Sequence, residues 1–186
     1  MKRLFDLFFL FLLLVPIIPI SLLLIVLIKF TSKGPILHWS SRVGKNNKIF
    51  KMPKFRTMKV GTPNIASHLM DRPEKYLYPF GSFLRKTSLD EIPQMFSILK
   101  GDMSFVGPRP ALFNQYDLVD KRMKKGISKL TPGITGWAQI NGRDSISIEE
   151  KVNLDHHYLL NQSFFLDIKI ILITIKKVFL KSNILH

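Results

Sequence analysis

The chain contains no cysteine. Disulfides, thiolate metal sites and a cysteine nucleophile are therefore excluded, in agreement with work against a reducing cytoplasm. Acidic residues are scarce as well: 13 Asp and Glu stand against 28 Lys and Arg, giving +15 over 186 residues. Such an excess calls for a polyanionic partner, which by charge alone is nucleic acid, anionic lipid headgroups or a phosphorylated substrate. Neither a Walker loop nor a Gly-x-Gly-x-x-Gly fingerprint is present. The Asp-x-Asp pattern often used for a metal and a nucleotide sugar is missing, and no RNA- or DNA-binding motif is found. Five scattered His, with His156 and His157 adjacent and so not sharing a helix face, make no zinc set. There is no internal repeat and no low-complexity tract. The length suits one compact domain that buries roughly 70% of its unfolded surface.

What the chain does have is a long uncharged run, Leu7 to Ile28, which meets the ~20-residue criterion for a membrane helix. Pro16 and Pro19 interrupt it, each removing a helical hydrogen bond and favouring a kink. Lys2 and Arg3 precede the run, while Lys29, Lys33, Arg42, Lys45, Lys48 and Lys51 follow it, so the positive-inside preference pulls both ends to the cytoplasmic side. Broken at Pro16, the run gives arms of ~18 and ~20 Å at 1.5 Å per residue. Each arm is near half the hydrocarbon thickness, which permits a re-entrant hairpin. Composition alone favours a proline-kinked single span, because neighbouring groups often satisfy backbone freed by Pro. A cleaved signal peptide is disfavoured by the absence of a small-x-small site after the apolar core.

Ile36 to Arg42 and Lys48 to Phe55 read as a β-hairpin around Gly44-Lys45-Asn46-Asn47, with aromatic and aliphatic residues packed inward. Thr62 to Pro79 reads as a polar loop with a short helix, a candidate lid. Ser88 and Glu91 are spaced as a capping box, opening a helix that ends at Leu99-Lys100 with Gly101 as its stop. Gly107 to Pro110 is an extended turn, Leu112 to Met123 a helix running into a basic group, and Pro132 to Trp137 a loop. Ser145 to Asn161 is a helix with a polar face. Phe164 to Leu180 is a further helix, either interfacial or buried, with interspersed lysines favouring the interface.

The motif Arg85-Lys86-Thr87-Ser88-Leu89-Asp90-Glu91-Ile92-Pro93-Gln94 places two carboxylates among cations. A carboxylate approaches a polyanion only where cations or a metal offset the repulsion. The ordinary explanation for acids in a first helical turn is capping and the macrodipole. Adjacent helical residues point ~100° apart, so one acid is expected to act and the other to assist. Arg109, held between Pro108 and Pro110, is set to present its guanidinium fork at little entropic cost.

These residues resemble a known family. Lys2-Arg3-Leu4-Phe5-Asp6, Lys54-Phe55-Arg56-Thr57-Met58, Ser88 to Gln94, Lys100 to Pro110, Pro132 to Arg143 and Leu166-Asp167-Ile168-Lys169 are similar to motifs of the bacterial sugar transferases. The resemblance is specifically to the small monotopic phosphoglycosyl transferases, and it covers nearly the whole chain in the right order. It implies an α+β fold: a small mixed helical domain with a β-hairpin, an N-terminal re-entrant membrane helix and interfacial amphipathic helices. Residues 1–30 would be the anchor and 31–186 the catalytic domain, a minimal catalytic unit on the cytoplasmic face of the bacterial inner membrane. Pro16 would make the membrane break. The family makes it with a Ser-Pro pair, whereas this chain has Val15-Pro16, with Pro19 available to add to the bend.

The resemblance further implies that Asp90 is a nucleophile and magnesium ligand, with Glu91 its partner and Arg85, Arg109 and Arg143 as phosphate or nucleotide contacts. The reaction implied is transfer of a sugar 1-phosphate from a UDP-sugar to polyprenol phosphate at an anionic bilayer, through an aspartyl phosphosugar with UMP released. Two alternatives remain at this point. One is a glycosyltransferase acting at the anomeric carbon and releasing UDP; the other is a non-enzymatic basic membrane-binding protein. A nucleic-acid partner is not expected, a homo-oligomer is compatible with the sequence, and no residue identifies the sugar or the glycan.

Overall fold

In a computed structural model the described residues are 2–62, 72–142 and 145–179. Helix α1 (Lys2–Thr31) carries the apolar run, and its helical assignment continues through Pro16 and Pro19. It is the one helix among the described residues long and apolar enough to cross a membrane, by length and composition. Asp6, Leu10, Leu24 and Ile28 are buried, and at 3.6 residues per turn they share one face. Pro19 lies opposite that face and Pro16 to its side; both are exposed.

Both ends of α1 are fastened to the rest of the chain. At its start, Arg3 donates to the carbonyls of Ile98 and Leu99, and Lys2 pairs with Asp167 at 2.5 Å. Asp6, an acid at the head of an apolar helix, is buried because it accepts from Ser104 Oγ at 2.9 Å and from the Phe105 amide at 3.1 Å. At the other end Arg56 donates to the carbonyls of Lys33 (2.7 Å) and Ser32 (3.2 Å), which follow the last helical turn.

The hairpin forms from β1 (Leu37–Val43) and β2 (Ile49–Phe55), antiparallel, with Asn46 and Asn47 at positive φ in the connection. Pro53 sits in β2 without cost to the ladder because β2 is the edge of a three-stranded sheet ordered β2-β1-β4. Met52 and Phe55 are buried, as expected of the apolar residues of the hairpin, although they lie on opposite faces of β2; Trp39 and Ile49 are exposed. Helix α2 (Gly81–Lys86) and α3 (Met95–Lys100) flank the acidic motif, and α3 stops at Gly101 with φ +94°, as expected.

Three expectations shift. Leu112 belongs not to a helix but to strand β4 (Ala111–Leu112), which pairs with Arg42 and Val43; helix α4 (Tyr116–Lys124) follows. Pro132 to Trp137 is not a loop. It holds β5 (Gly133–Thr135), parallel to β3 (Ser104–Val106), and the start of α5 (Trp137–Ile140). The glycines that read as turn residues are there for close backbone approach, since a Cβ on Gly133 would lie 2.1 Å from the Gly107 nitrogen. The capping box forms at α6 (Ile148–Asn161), where Ser147 and Glu150 exchange hydrogen bonds, rather than at Ser88. Of the expected loop Thr62–Pro79, residues 63–71 lie outside the described residues; Pro73–Tyr76 is a 3-10 turn.

The largest apolar cluster joins Leu10, Met52, Ile98, Met103, Phe105, Tyr158 and Ile170, so α1, the hairpin, α3, β3, α6 and α7 (Phe164–Phe179) share one core. A second cluster gathers Leu24 and Ile28 with Phe55, Tyr78 and Leu84. Helix α7 buries Asp167 and Ile170, leaves Phe165 and Leu172 exposed, and turns Lys177 back onto the carbonyl of Ile140 at 2.6 Å.

Candidate active site

Ser88 takes positive φ (+58°) after α2, and the chain then enters a 3-10 turn over Leu89–Gln94 that contains Asp90, Glu91 and Pro93. The predicted helix start at Ser88 is thus replaced: α-helix begins only at Met95, and the Ser88 side chain caps nothing. Pro93 in the turn withholds the amide that an α-helix from Ser88 would use. The acids therefore precede a helix of only six residues, and side-chain cations are what offset their charge.

Those cations come from separate elements. Lys54 on β2 contacts Glu91 Oε1 at 2.6 Å and Asp90 Oδ2 at 3.7 Å. Arg109, in the turn after β3, places Nη2 3.6 Å from Glu91 Oε1. Arg85, at the end of α2, faces Asp90 and donates Nε to Thr57 Oγ1 at 2.9 Å. Arg42, at the end of β1, stands near both Arg109 and Glu91. Of the residues expected at the site, Asp90, Glu91, Arg85 and Arg109 come together; Arg143 lies outside the described residues.

The motif Lys54-Phe55-Arg56-Thr57 now divides by task. Lys54 pairs with the acids, Phe55 packs against the end of α1, Arg56 grips the carbonyls beyond α1, and Thr57 holds Arg85. Arg109 is braced from behind: its carbonyl accepts from Arg122 Nη1 at 2.8 Å, and Arg122 is held by Asp155 at 2.6 Å in a buried pair. Tyr78 donates to the Arg56 carbonyl at 2.6 Å; burial pushes its hydroxyl up to about 12, so it stays a donor at neutral pH.

Asp90 is only 7% exposed. Burial raises its carboxyl above the usual range and Glu91 pushes the same way, while Lys54, Arg85 and Arg109 pull it back. Burial likewise lowers the Arg85 guanidinium, which Asp90 opposes. Arg42 is brought down to about 10 by burial and by the repulsion of Arg109, with Glu91 opposing. His38, four residues before Arg42 on the same face of β1, is lowered by partial burial and by Arg42, Lys54 and Arg85, which favours its neutral form. For Asp90, burial thus works against the charged form of the carboxyl and the neighbouring cations work for it, and the same cations are placed to neutralise the oxygens of a phosphate ester.

Among the described residues no group of three or more His, Asp or Glu is arranged to hold a metal. The two adjacent carboxylates still suit magnesium, which is commonly bound by one or two carboxylates with substrate phosphates and water completing its shell. Sequence reasoning assigned no role to Lys54 or Arg42. A signal for Lys54 exists: Phe50, Met52 and Lys54 share one strand face, and a lysine in inward register beside a buried methionine calls for a buried anion.

A family model described as bacterial sugar transferase matches residues 1–181. The uncharacterized sugar transferase EpsL of Bacillus subtilis (strain 168) is 41% identical over 184 residues, covering 99% of this chain and 90% of that protein. Exopolysaccharide production protein ExoY of Sinorhizobium fredii is 36% identical, covering 98% of this chain and 87% of that protein. UDP-glucose:undecaprenyl-phosphate glucose-1-phosphate transferase of Escherichia coli (strain K12) is 39% identical over 164 residues, covering 83% of this chain. The chain thus spans nearly all of EpsL and ExoY but only 35% of the Escherichia coli protein. With the family model covering nearly its whole length and relatives this close at full coverage, the chain belongs to the bacterial sugar transferase family.

Proposed function

We propose that the protein transfers a sugar 1-phosphate from a UDP-sugar to polyprenol phosphate, in two displacements through Asp90. The observation that carries this is a buried carboxylate facing Lys54, Arg85 and Arg109, beside a second carboxylate already engaged by Lys54. The activity for which the Escherichia coli relative is named, transfer of glucose 1-phosphate from UDP-glucose to undecaprenyl phosphate, supports the overall reaction.

In the first displacement an Asp90 carboxylate oxygen bonds to the β-phosphorus, the bond from that phosphorus to the bridging oxygen breaks, and UMP leaves with the electron pair. In the second, a phosphate oxygen of polyprenol phosphate bonds to the same phosphorus. The bond to Asp90 then breaks, regenerating the carboxylate and giving polyprenol diphosphate sugar. Glu91 keeps Lys54 and Arg109 in place, and the cations neutralise charge that develops on the phosphoryl oxygens. Magnesium would be held by Asp90 with Glu91 beside it, and would supply Lewis-acid stabilisation of the leaving phosphate.

The acceptor phosphate lies at headgroup height, so the site must be held there. We propose that α1 enters and leaves the bilayer by the cytoplasmic face of the bacterial inner membrane, bending at Pro16 and Pro19, with the catalytic domain monotopic on that face. Support comes from the fastening of both charged ends to one domain. A Pro ring opens the helix on its own side, and here Pro19 faces away from the domain, so the bend carries both arms toward it.

The nucleophile assignment predicts that wild-type protein incubated with magnesium and a UDP-sugar labelled in the β-phosphate retains covalent label, and that Asp90→Asn retains none. Label persisting in Asp90→Asn would overturn it. Because Asp90 must be ionised to attack and its carboxyl is raised, adduct formation should fall with decreasing pH through a limb above the ordinary Asp range of about 4. Lys54→Met removes the largest opposing attraction and moves that limb to higher pH; an unmoved limb would count against the electrostatic role of Lys54. For topology, the cysteine-free chain allows single cysteines at Arg3 and Lys33. Both should react with a membrane-impermeant maleimide from the cytoplasmic side only, whereas labelling from opposite sides would establish a span.

A further inference from the structure

We infer that Arg42 and Arg109 form a clamp for a substrate phosphate other than the one attacked by Asp90, making Arg42 a substrate-binding residue. The inference rests on the proposed reaction for the identity of the substrates, but its test reads binding without turnover.

Arg42 is fixed before any ligand arrives. Its Nε donates to Ser40 Oγ at 3.0 Å and its Nη1 to the Pro110 carbonyl at 3.3 Å, one residue beyond Arg109. The strand sets this up: Arg42 pairs with Phe50 on β2 and Leu112 on β4, so its backbone is held on both sides at the sheet end nearest the Pro108–Pro110 turn. Among the described residues Nη2 makes no hydrogen bond, and no carboxylate lies within ion-pair distance of Arg42. The carboxylate closest to serving it, Glu91, is already shared by Lys54 and Arg109.

Charge makes the case stronger. Lys54, Arg85 and Arg109 surround Asp90 and Arg42 stands near Glu91, so four cations meet two carboxylates among the described residues. Two of those cations, Arg42 and Arg109, repel each other in a partly buried setting. A like-charge pair of this kind is costly alone and favourable once an anion enters between the forks, because a guanidinium binds phosphate through parallel charged hydrogen bonds. A phosphomonoester or one phosphate of a diphosphate matches the surplus of positive charge. In this site the chemistry has two sources, the uridylyl phosphate of the donor and the phosphate of the lipid acceptor.

The test uses full-length Asp90→Asn protein in nanodiscs, titrated with UMP, with uridine, and in parallel with short-chain polyprenol phosphate. The same titrations are made with Arg42→Gln and Arg42→Lys added. Arg42→Gln should weaken UMP binding by about tenfold or more while leaving uridine binding unchanged, and Arg42→Lys should restore part of the loss. A loss confined to polyprenol phosphate would support the clamp and assign it to the acceptor. Equal affinities for both phosphate ligands in all three proteins would overturn it. So would equal losses for UMP and uridine, which mark Arg42 as a brace of the Pro108–Pro110 turn. Should Arg42→Gln fail to fold, Arg42→Lys decides: selective weakening for a phosphate ligand supports the clamp, and unaltered binding contradicts it. Failure of the reaction itself would appear separately, as absence of adduct in the wild-type protein.

Discussion

The site depends on one interaction, the pairing of two consecutive carboxylates, one of them buried, with side-chain cations. Four separate parts of the structure supply those cations. β2 supplies Lys54, α2 supplies Arg85, the turn after β3 supplies Arg109, and the end of β1 supplies Arg42. Burial alone would drive Asp90 toward the neutral acid, which cannot attack phosphorus. The cations draw it back toward the carboxylate, and the same cations suit the oxygens of a diphosphate. In the proposed reaction, attraction to substrate and activation of the nucleophile are thus one arrangement of charge. The cost is a surplus of positive charge in the free protein, held in place by neutral supports: Thr57 under Arg85, Ser40 and the Pro110 carbonyl around Arg42.

That arrangement is tied to the apolar helix by short paths. Asp6 near the start of α1 holds the first residues of β3, and the chain leaving β3 becomes the Gly107–Pro110 turn that carries Arg109. Arg56, two residues after Lys54, grips the backbone just past the end of α1. One end of the helix therefore sets the position of Arg109 and the other end sets that of Lys54. Lys2, Tyr158 and Asp167 add a third tie, with the Tyr158 hydroxyl 2.5 Å from Asp167 and raised far above its ordinary value by burial and by that carboxylate. An apolar helix fastened in this way holds the site at a fixed position relative to its exposed apolar surface.

Much of this was legible in the sequence, for physical reasons that differ by element. The hairpin showed itself through aromatic and aliphatic strands around a Gly-Asn turn, and α6 through its polar periodicity. Asp90, Glu91, Arg85 and Arg109 were legible as a charge pattern before any contact was known. Local signals failed where tertiary structure overrode them. Ser88 and Glu91 have capping-box spacing, yet a left-handed Ser88 and Pro93 produce a 3-10 turn instead. Pro132 to Trp137 looks like a loop because its glycines are turn residues by statistics, whereas here they allow two backbones to meet. Lys2 and Asp167 lie at opposite ends of the chain, and no period or propensity connects them. Arg42 was hidden for the same reason: among six basic residues after the apolar run, only the fold singles it out.

The central claim, that Asp90 accepts the sugar phosphate before the lipid does, is tested most directly by rapid-quench kinetics without acceptor. Protein in nanodiscs is mixed with excess UDP-sugar and magnesium, and the nucleotide product is identified and counted. The account predicts a burst of close to one UMP per protein in the absence of polyprenol phosphate, followed by turnover once the lipid is added. No nucleotide release until the lipid is present, or release of UDP in place of UMP, would contradict it.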